Sequence, residues 1–272
     1  MREAPTESAG APAVTIFDRI LVGVDGHAES IAAVRESAAM LAPTGELVLL
    51  AAYDFPPNVG GAELAGVPSY LTDIEPFQRA ARDAVTSARR ELPDGIAAQE
   101  VALQGRPWEA LLVEAERRGA TLVAVGARGL GRAHGLLVGS TTTEVVHNSP
   151  TSVLVARSFA GHPPRTIVVG VDGSPSSRLA YEAARHLSGR FGSRLRAVVA
   201  YGGKDVDVIG ADLLVGHALE HVDDHPVSGL LAAAAAADLV VVGSRGLHGV
   251  KALGSVSERI AHRAPTSVLV VR

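Results

Sequence analysis

The sequence predicts an α/β fold of two tandem open parallel-sheet domains with helices on both faces, the second copy shortened. Three observations carry this. The chain has 272 residues, enough for about two domains at roughly 150 residues each. Three segments recur once, in the same order: ILVGVDG at 20–26 as IVVGVDG at 167–173, LVAVGARGLG at 122–131 as LVVVGSRGLH at 239–248, and PTSVLVAR at 150–157 as PTSVLVVR at 265–272. Within each copy, short Val, Ile and Leu runs alternate with stretches of helical spacing, the pattern of βαβ units.

In copy one, Arg19–Asp25 reads as a strand buried on both faces. Ile31, Val34, Ala38 and Leu41 recur at helical spacing and place a helix over Ser30–Leu41. Glu46–Tyr53 is the second strand, and Asp54–Ser69, rich in Pro and Gly, a long loop. Ile74–Leu92 is a helix and Ile96–Leu103 the third strand. Pro107 suits a first helical turn, continued by Trp108–Arg118, with Trp108 expected in the core. Thr121–Gly126, Ser140–His147 and Thr151–Ala156 complete the copy as strand, helix and strand. Copy two repeats this order with one element missing: Arg194–Tyr201 is its second strand, Ala218–Val222, Leu239–Gly243 and Thr266–Val271 are the remaining strands, and Val227–Ala237 is an Ala-rich helix.

The offsets between copies show what copy two lacks. Asp25 and Asp172 are 147 residues apart but Gly126 and Gly243 only 117, so 30 residues are missing between the first and fourth strands. Pro150 and Pro265 are 115 apart, so two more are missing after Gly243. Gly202–Gly216 is too short and Gly-rich for the second helix. The expected organisation is a disordered tail at 1–15, domain one at 16–157, a Gly/Pro linker at 158–165 and domain two at 166–272.

Composition excludes several functions. There is no cysteine, so disulfides, thiol catalysis and Cys-ligated metal are ruled out. A net charge of -4 and 4% aromatics argue against nucleic-acid binding. The longest apolar stretch, Leu230–Val242, is broken by Asp238 and is too short to span a bilayer. A cytoplasmic protein without a membrane segment is the expectation.

In an open α/β sheet, ligands bind beyond the carboxyl ends of the strands. Asp25 and Asp172 each end a first strand and are followed by Gly26 and Gly173. A carboxylate there can accept from a ribose hydroxyl or a base; it can equally cap the following helix through an Asx-turn, and both readings stand. Gly126-x-x-Gly129, nine residues, then Gly139-Ser140 joins a strand end to a helix start. Glycine admits a phosphate close to the backbone, and the helix start offers amides. Ser140 and Thr141 add hydroxyls; Arg128 and Arg132 are candidates for phosphate oxygens, set against a solvated role. No Walker loop, G-x-G-x-x-G, G-x-S-x-G or H-E-x-x-H occurs. His217, His221 and His225 are spaced by four, but spacing without geometry is weak evidence for metal, and no metal ligand is assigned.

Together, VGVDG, VGARGLG followed by VGS, VGSRG followed by LGS, and the two PTSVLV endings resemble the universal stress protein family in its tandem form, over Asp18–Arg272. The resemblance implies five parallel strands per copy in the order 3-2-1-4-5. It also implies ATP, with or without Mg2+, as cofactor in those members that keep the glycine loop, other members binding no nucleotide. Asp25 would meet the nucleoside, Ala52 adenine through its backbone, and Gly126, Gly129, Gly139, Ser140 and Thr141 the ribose and phosphates; Gly26, beside Asp25, and Arg128, inside the glycine loop, are counted with them as candidate cofactor-binding residues. Asp172, Gly243, Gly246, Gly254 and Ser255 are the copy-two counterparts. Copy one departs at His27, where the family often has a small hydroxyl residue, and copy two encloses seven residues between Gly246 and Gly254. Copy two is therefore expected to be the weaker site.

The expected function is ATP or AMP binding in a stress or dormancy response, with at most weak hydrolysis and no catalytic residues assigned. The alternative is a nucleotide-independent interaction module whose two copies form a rigid pseudo-dimer that docks a partner. Single-domain members commonly dimerise through their last strands. An internal pairing through Val153–Val155 and Val268–Val270 is therefore expected, with pairing of whole chains into a homodimer left open.

Overall fold

The computed structural model describes residues 17–54, 74–127, 139–200, 219–244 and 254–272. The first copy runs β1 (Arg19–Gly23), α1 (Ala28–Met40), β2 (Glu46–Tyr53), α2 (Glu75–Arg89), β3 (Ala98–Gln104), α3 (Pro107–Arg118), β4 (Leu122–Gly126), α4 (Ser140–Asn148) and β5 (Ser152–Ala156). The second runs β6 (Thr166–Gly170), α5 (Pro175–Phe191), β7 (Arg194–Ala200), β8 (Leu219–Val222), α6 (Pro226–Ala234), β9 (Leu239–Gly243), α7 (Ser255–Arg263) and β10 (Ser267–Val271).

Strand residues alternate between faces, and here both faces are covered. In β1, Ile20 and Val22 join a core layer with residues of α1, α2 and α5. Leu21 joins the opposite layer, with residues of α3, α4, α6 and α7. This two-sided burial is why the strands read as unbroken apolar runs rather than alternating ones. Trp108 is partly buried against the second layer instead of being enclosed in it.

The strands form one ten-stranded sheet in the order β3-β2-β1-β4-β5-β10-β9-β6-β7-β8. Pairing within each copy is parallel, and β5 and β10 meet antiparallel at the centre, with Val153 opposite Val270, Leu154 opposite Leu269 and Val155 opposite Val268. The expected pairing through the last strands is what the structure shows. Strands that would be edges in an isolated copy become the middle of the molecule, and all six residues are fully buried. Both core layers contain residues of both copies.

Polar contacts repeat across this seam in near two-fold fashion. Arg157 N donates to Ser267 Oγ at 3.1 Å and Arg272 N to Ser152 Oγ at 3.2 Å. Glu36 of α1 breaks the symmetry: its carboxylate accepts from Ser267 Oγ at 2.6 Å, while the equivalent position in α5 is the buried Ala183. Burial pushes the Glu36 carboxyl up to about 8, against the lowering effect of the Ser267 hydroxyl.

Element limits move by one to three residues from the sequence expectation, as helix and strand ends do. The helix expected over Ser30–Leu41 starts two residues earlier, because Ser30 Oγ donates back to His27 O and Ile31 N closes the first turn onto the same carbonyl. The Ala-rich helix ends at Ala234 rather than Ala237. Most of the long loop expected at Asp54–Ser69, and the stretch expected to replace the second helix of copy two, lie outside the described residues. No helix among the described residues is long and apolar enough to cross a membrane.

Candidate functional site

In each copy the first strand has its sequential neighbour on one side and the fourth strand on the other, so the chain winds in opposite directions from it. This switch point opens a crevice at the strand ends. In copy one the crevice is a cavity of about 400 Å³. Its lining includes Asp25, Ala52, Phe77, Gly126, Gly139 and Ser140.

Asp25 performs the helix-entry role that the sequence left open, and it also lines the cavity. Its Oδ1 accepts from His27 N at 3.0 Å, an Asx-turn into α1. His27 Nδ1 lies 3.2 Å from the same oxygen. In copy two Asp172 Oδ1 accepts from Ser174 N at 3.1 Å and also from Ser174 Oγ. Ser174 then accepts from Ser177 N at 3.2 Å, a side-chain cap that His27 does not supply to α1. Gly26 and Gly173 follow the aspartates with φ of 78°, where a side chain would be strained. Gly26 shapes the turn and is not among the cavity-lining residues.

Ala52 is placed by strand parity. Successive residues of a strand present their amide and carbonyl to opposite neighbours. Leu50 O accepts from Val24 N at 2.8 Å on the β1 side, and Tyr53 O accepts from Gly105 N at 2.9 Å on the β3 side. Ala52 has the parity of Leu50, so its polar groups point toward β1. Pairing with β1 ends at Leu50, whereas pairing with β3 runs to Tyr53. The Ala52 amide and carbonyl therefore face the crevice where β1 has turned away. The same construction in copy two picks out Ala200, which lines a cavity there: Val198 O accepts from Val171 N, and pairing with β6 ends at Val198. Sequence reading missed Ala200 because the shortened second copy carries no motif on that strand. Aligning the two second strands would have found it.

The α4 start is held against the end of β4 by Thr142 Oγ1, which donates to Gly126 O at 2.8 Å. Ser257 Oγ donates to Gly243 O at 2.6 Å in copy two. Gly139 and Gly254 occupy the two N-cap positions, and neither helix has a side-chain cap there. The first turn of a helix leaves amides without intrahelical partners, which suits an anion. Gly139, Ser140 and Thr141 line the first cavity; Gly254 and Ser255 line the second, with Asp172 and Gly243.

Gly126 and Gly243 have a packing reason that the sequence did not reveal. A Cβ on Gly126 would come within 2.6 Å of the backbone of Glu29 and Ser30 at the start of α1. One on Gly243 would overlap the backbone of Ser176. Both glycines let the helix after the aspartate press onto the fourth strand. Arg128, Gly129, Arg132 and Gly246 lie outside the described residues.

The copies differ in how the cavity is walled. In copy one, Phe77, Ala80, Ala81 and Ala84 of α2 line one side, and Phe77 is 40% exposed. The copy-two cavity is about 240 Å³. Of the histidine run, His221 lies on β8, His225 Nδ1 accepts from Val227 N at the start of α6, and His217 is outside the described residues.

Residues 16–157 and 210–272 match the family model described as the universal stress protein family. The chain belongs to the universal stress protein family. A universal stress protein of Mycolicibacterium smegmatis is 33% identical over 288 residues, covering 93% of this chain and 96% of that protein. One of Mycobacterium tuberculosis is 32% identical over 187 residues, 56% of this chain and 62% of that protein. The crystal structure of a universal stress protein from Archaeoglobus fulgidus superposes with a TM-score of 0.72 at 20% identity, over 93% of this chain and 96% of that one. The ten-stranded tandem arrangement is thus a universal stress protein architecture.

Proposed function

We propose that the copy-one cavity is an ATP site and that the protein acts by binding nucleotide, in a stress response, rather than by turning it over. The observation that carries this is the convergence, in one crevice, of the Asp25 carboxylate, the outward-facing amide and carbonyl of Ala52, and the start of α4. The volume lies within the range of small-molecule sites. Phe77, Ala80 and Ala84 offer an apolar wall for a base, with the Ala52 backbone able to pair with its edge. Gly139, Ser140 and Thr141 offer amides and hydroxyls for phosphates, and Asp25 an acceptor for a ribose hydroxyl. If Mg2+ accompanies ATP, it would be held through the phosphates near these hydroxyls.

Copy two has the same plan in a smaller space and is proposed as the weaker site. Mass spectrometry of the purified protein, followed by calorimetric titration with ATP and AMP, tests the reading. Co-purified or titratable nucleotide at one main site is expected. Protein that purifies without nucleotide and ignores added ATP would overturn it in favour of an interaction module, for which the central β5–β10 pairing supplies a rigid body.

A further inference from the structure

The two-fold relation that pairs β5 with β10 also brings together α4 and α7. His147 and His262 sit at equivalent positions near the ends of these helices, 115 residues apart. Neither histidine belonged to the spaced run singled out in the sequence. Their rings lie edge to face, with centroids 6.5 Å apart. Glu258, one turn before His262 on α7, joins them: its Oε1 is 3.2 Å from His147 Nε2. One ligand atom from each of the three residues can be chosen so that all lie within 4.8 Å of one another.

We infer that His147, Glu258 and His262 form a binding site for a divalent transition-metal ion, Zn2+ being the best fit, that clips the two copies together. Two imidazoles and one carboxylate are a borderline-soft donor set that suits zinc over magnesium or calcium. Zinc takes such ligands at about 2.0–2.2 Å, so tetrahedral ligand atoms stand about 3.3 Å apart. The His147–Glu258 separation already has that value. Rotation of the His262 ring would bring the third ligand in, with solvent in the fourth position.

A second, independent observation concerns His262 itself. Its Nε2 is shut off from solvent and has no hydrogen-bond partner among the described residues. An unpaired buried polar atom costs free energy, and a metal bond would satisfy it. The Arg157 guanidinium opposes a cation here, and Glu258 supplies the compensating charge. His147 and Glu258 are each about 40% exposed, which leaves the ion a route in. Position 143 in copy one, equivalent to Glu258, is Thr143, so the site has three protein ligands rather than four.

The test is calorimetric titration of the chelator-stripped full chain with Zn2+, with Co2+ absorption as a second readout of tetrahedral nitrogen–oxygen ligation. One ion per chain is expected, together with a rise in unfolding temperature. His147→Ala, His262→Ala and Glu258→Gln should each weaken binding about tenfold or more. Circular dichroism without metal checks that these variants fold, and His262→Gln replaces His262→Ala if the latter does not. A double His221→Ala, His225→Ala variant should bind as the parent does. Absence of zinc uptake, parental affinity in the His147 and His262 variants, or loss confined to the His221/His225 variant would each overturn the assignment. None of these outcomes depends on nucleotide binding.

Discussion

Arg157 and Arg272 exchange places across the centre of the molecule. Each follows the last strand of its own copy and sends its guanidinium to the other: Arg157 Nη2 donates to Ala261 O at 2.7 Å near the end of α7, and Arg272 Nη2 to Val146 O near the end of α4. Both side chains are largely buried, and burial lowers both guanidinium pKa values. A cation near a helix C-terminus is favoured by the helix dipole. This reciprocal contact fixes the two copies in register beside the β5–β10 ladder.

The seam should depend on apolar burial more than on these contacts. Val153→Asp or Val268→Asp would place a charge in a fully enclosed ladder, at a cost of several kcal/mol. A large fall in unfolding temperature and an expanded small-angle scattering profile are expected. A parental profile for both variants would show that the copies do not rely on this pairing.

Stability should fall with pH because of Glu36. Below about 4.5, the carboxyl is neutral in both folded and unfolded chains. Between about 4.5 and 8 the unfolded chain gives up the proton while the folded chain keeps it, so the stability present in acid is lost across that window. Glu36→Gln removes the titration. The variant should exceed the parent by about 4–5 kcal/mol at pH 8 to 9, the rise from 4.5 to about 8 taken at roughly 1.4 kcal/mol per pKa unit, and match it near pH 4. Urea unfolding across pH tests this, and a difference that does not change with pH would refute it.

Gly126→Ala and Gly243→Ala should destabilise the protein without any ligand present. Each new Cβ meets the backbone of the preceding helix start, and such overpacking costs about 1–3 kcal/mol. Chemical denaturation of the nucleotide-free variants measures it. Unchanged stability with lost ATP binding would instead assign these glycines to the ligand.

Nucleotide affinity should separate the copies. Gly139→Val places a side chain at the start of α4, in the cavity proposed for phosphates, and should remove most ATP binding. Gly254→Val, in the smaller cavity, should matter much less. Asp25→Ala should weaken binding by about 1.5–3 kcal/mol, the usual worth of a hydrogen bond to a charged group. Unfolding temperatures are measured alongside, since Asp25 also supports the turn into α1. Equal losses from the two valine variants would remove the proposed asymmetry.

The sequence by itself determined the α/β class, the two copies, the strand and helix order and the positions of Asp25, Gly139 and their counterparts. These are local matters: apolar runs fix strands, spacing fixes helices, and a repeated motif marks repeated geometry. The family resemblance, through the strand order and last-strand dimers that it implies, also pointed to Val153–Val155 and Val268–Val270 as the seam, because apolar edge strands need cover. Only the tertiary structure decided that Gly126 serves helix packing, since the clash involves the backbone of Glu29 and Ser30 nearly a hundred residues away. The direction of the Ala52 and Ala200 backbones likewise follows from where a neighbouring strand stops, which no local pattern records. The meeting of His147, Glu258 and His262, and the burial of Glu36 against Ser267, arise from how two copies dock. Contacts of that kind depend on relative placement, and a linear pattern of residue types carries none of it.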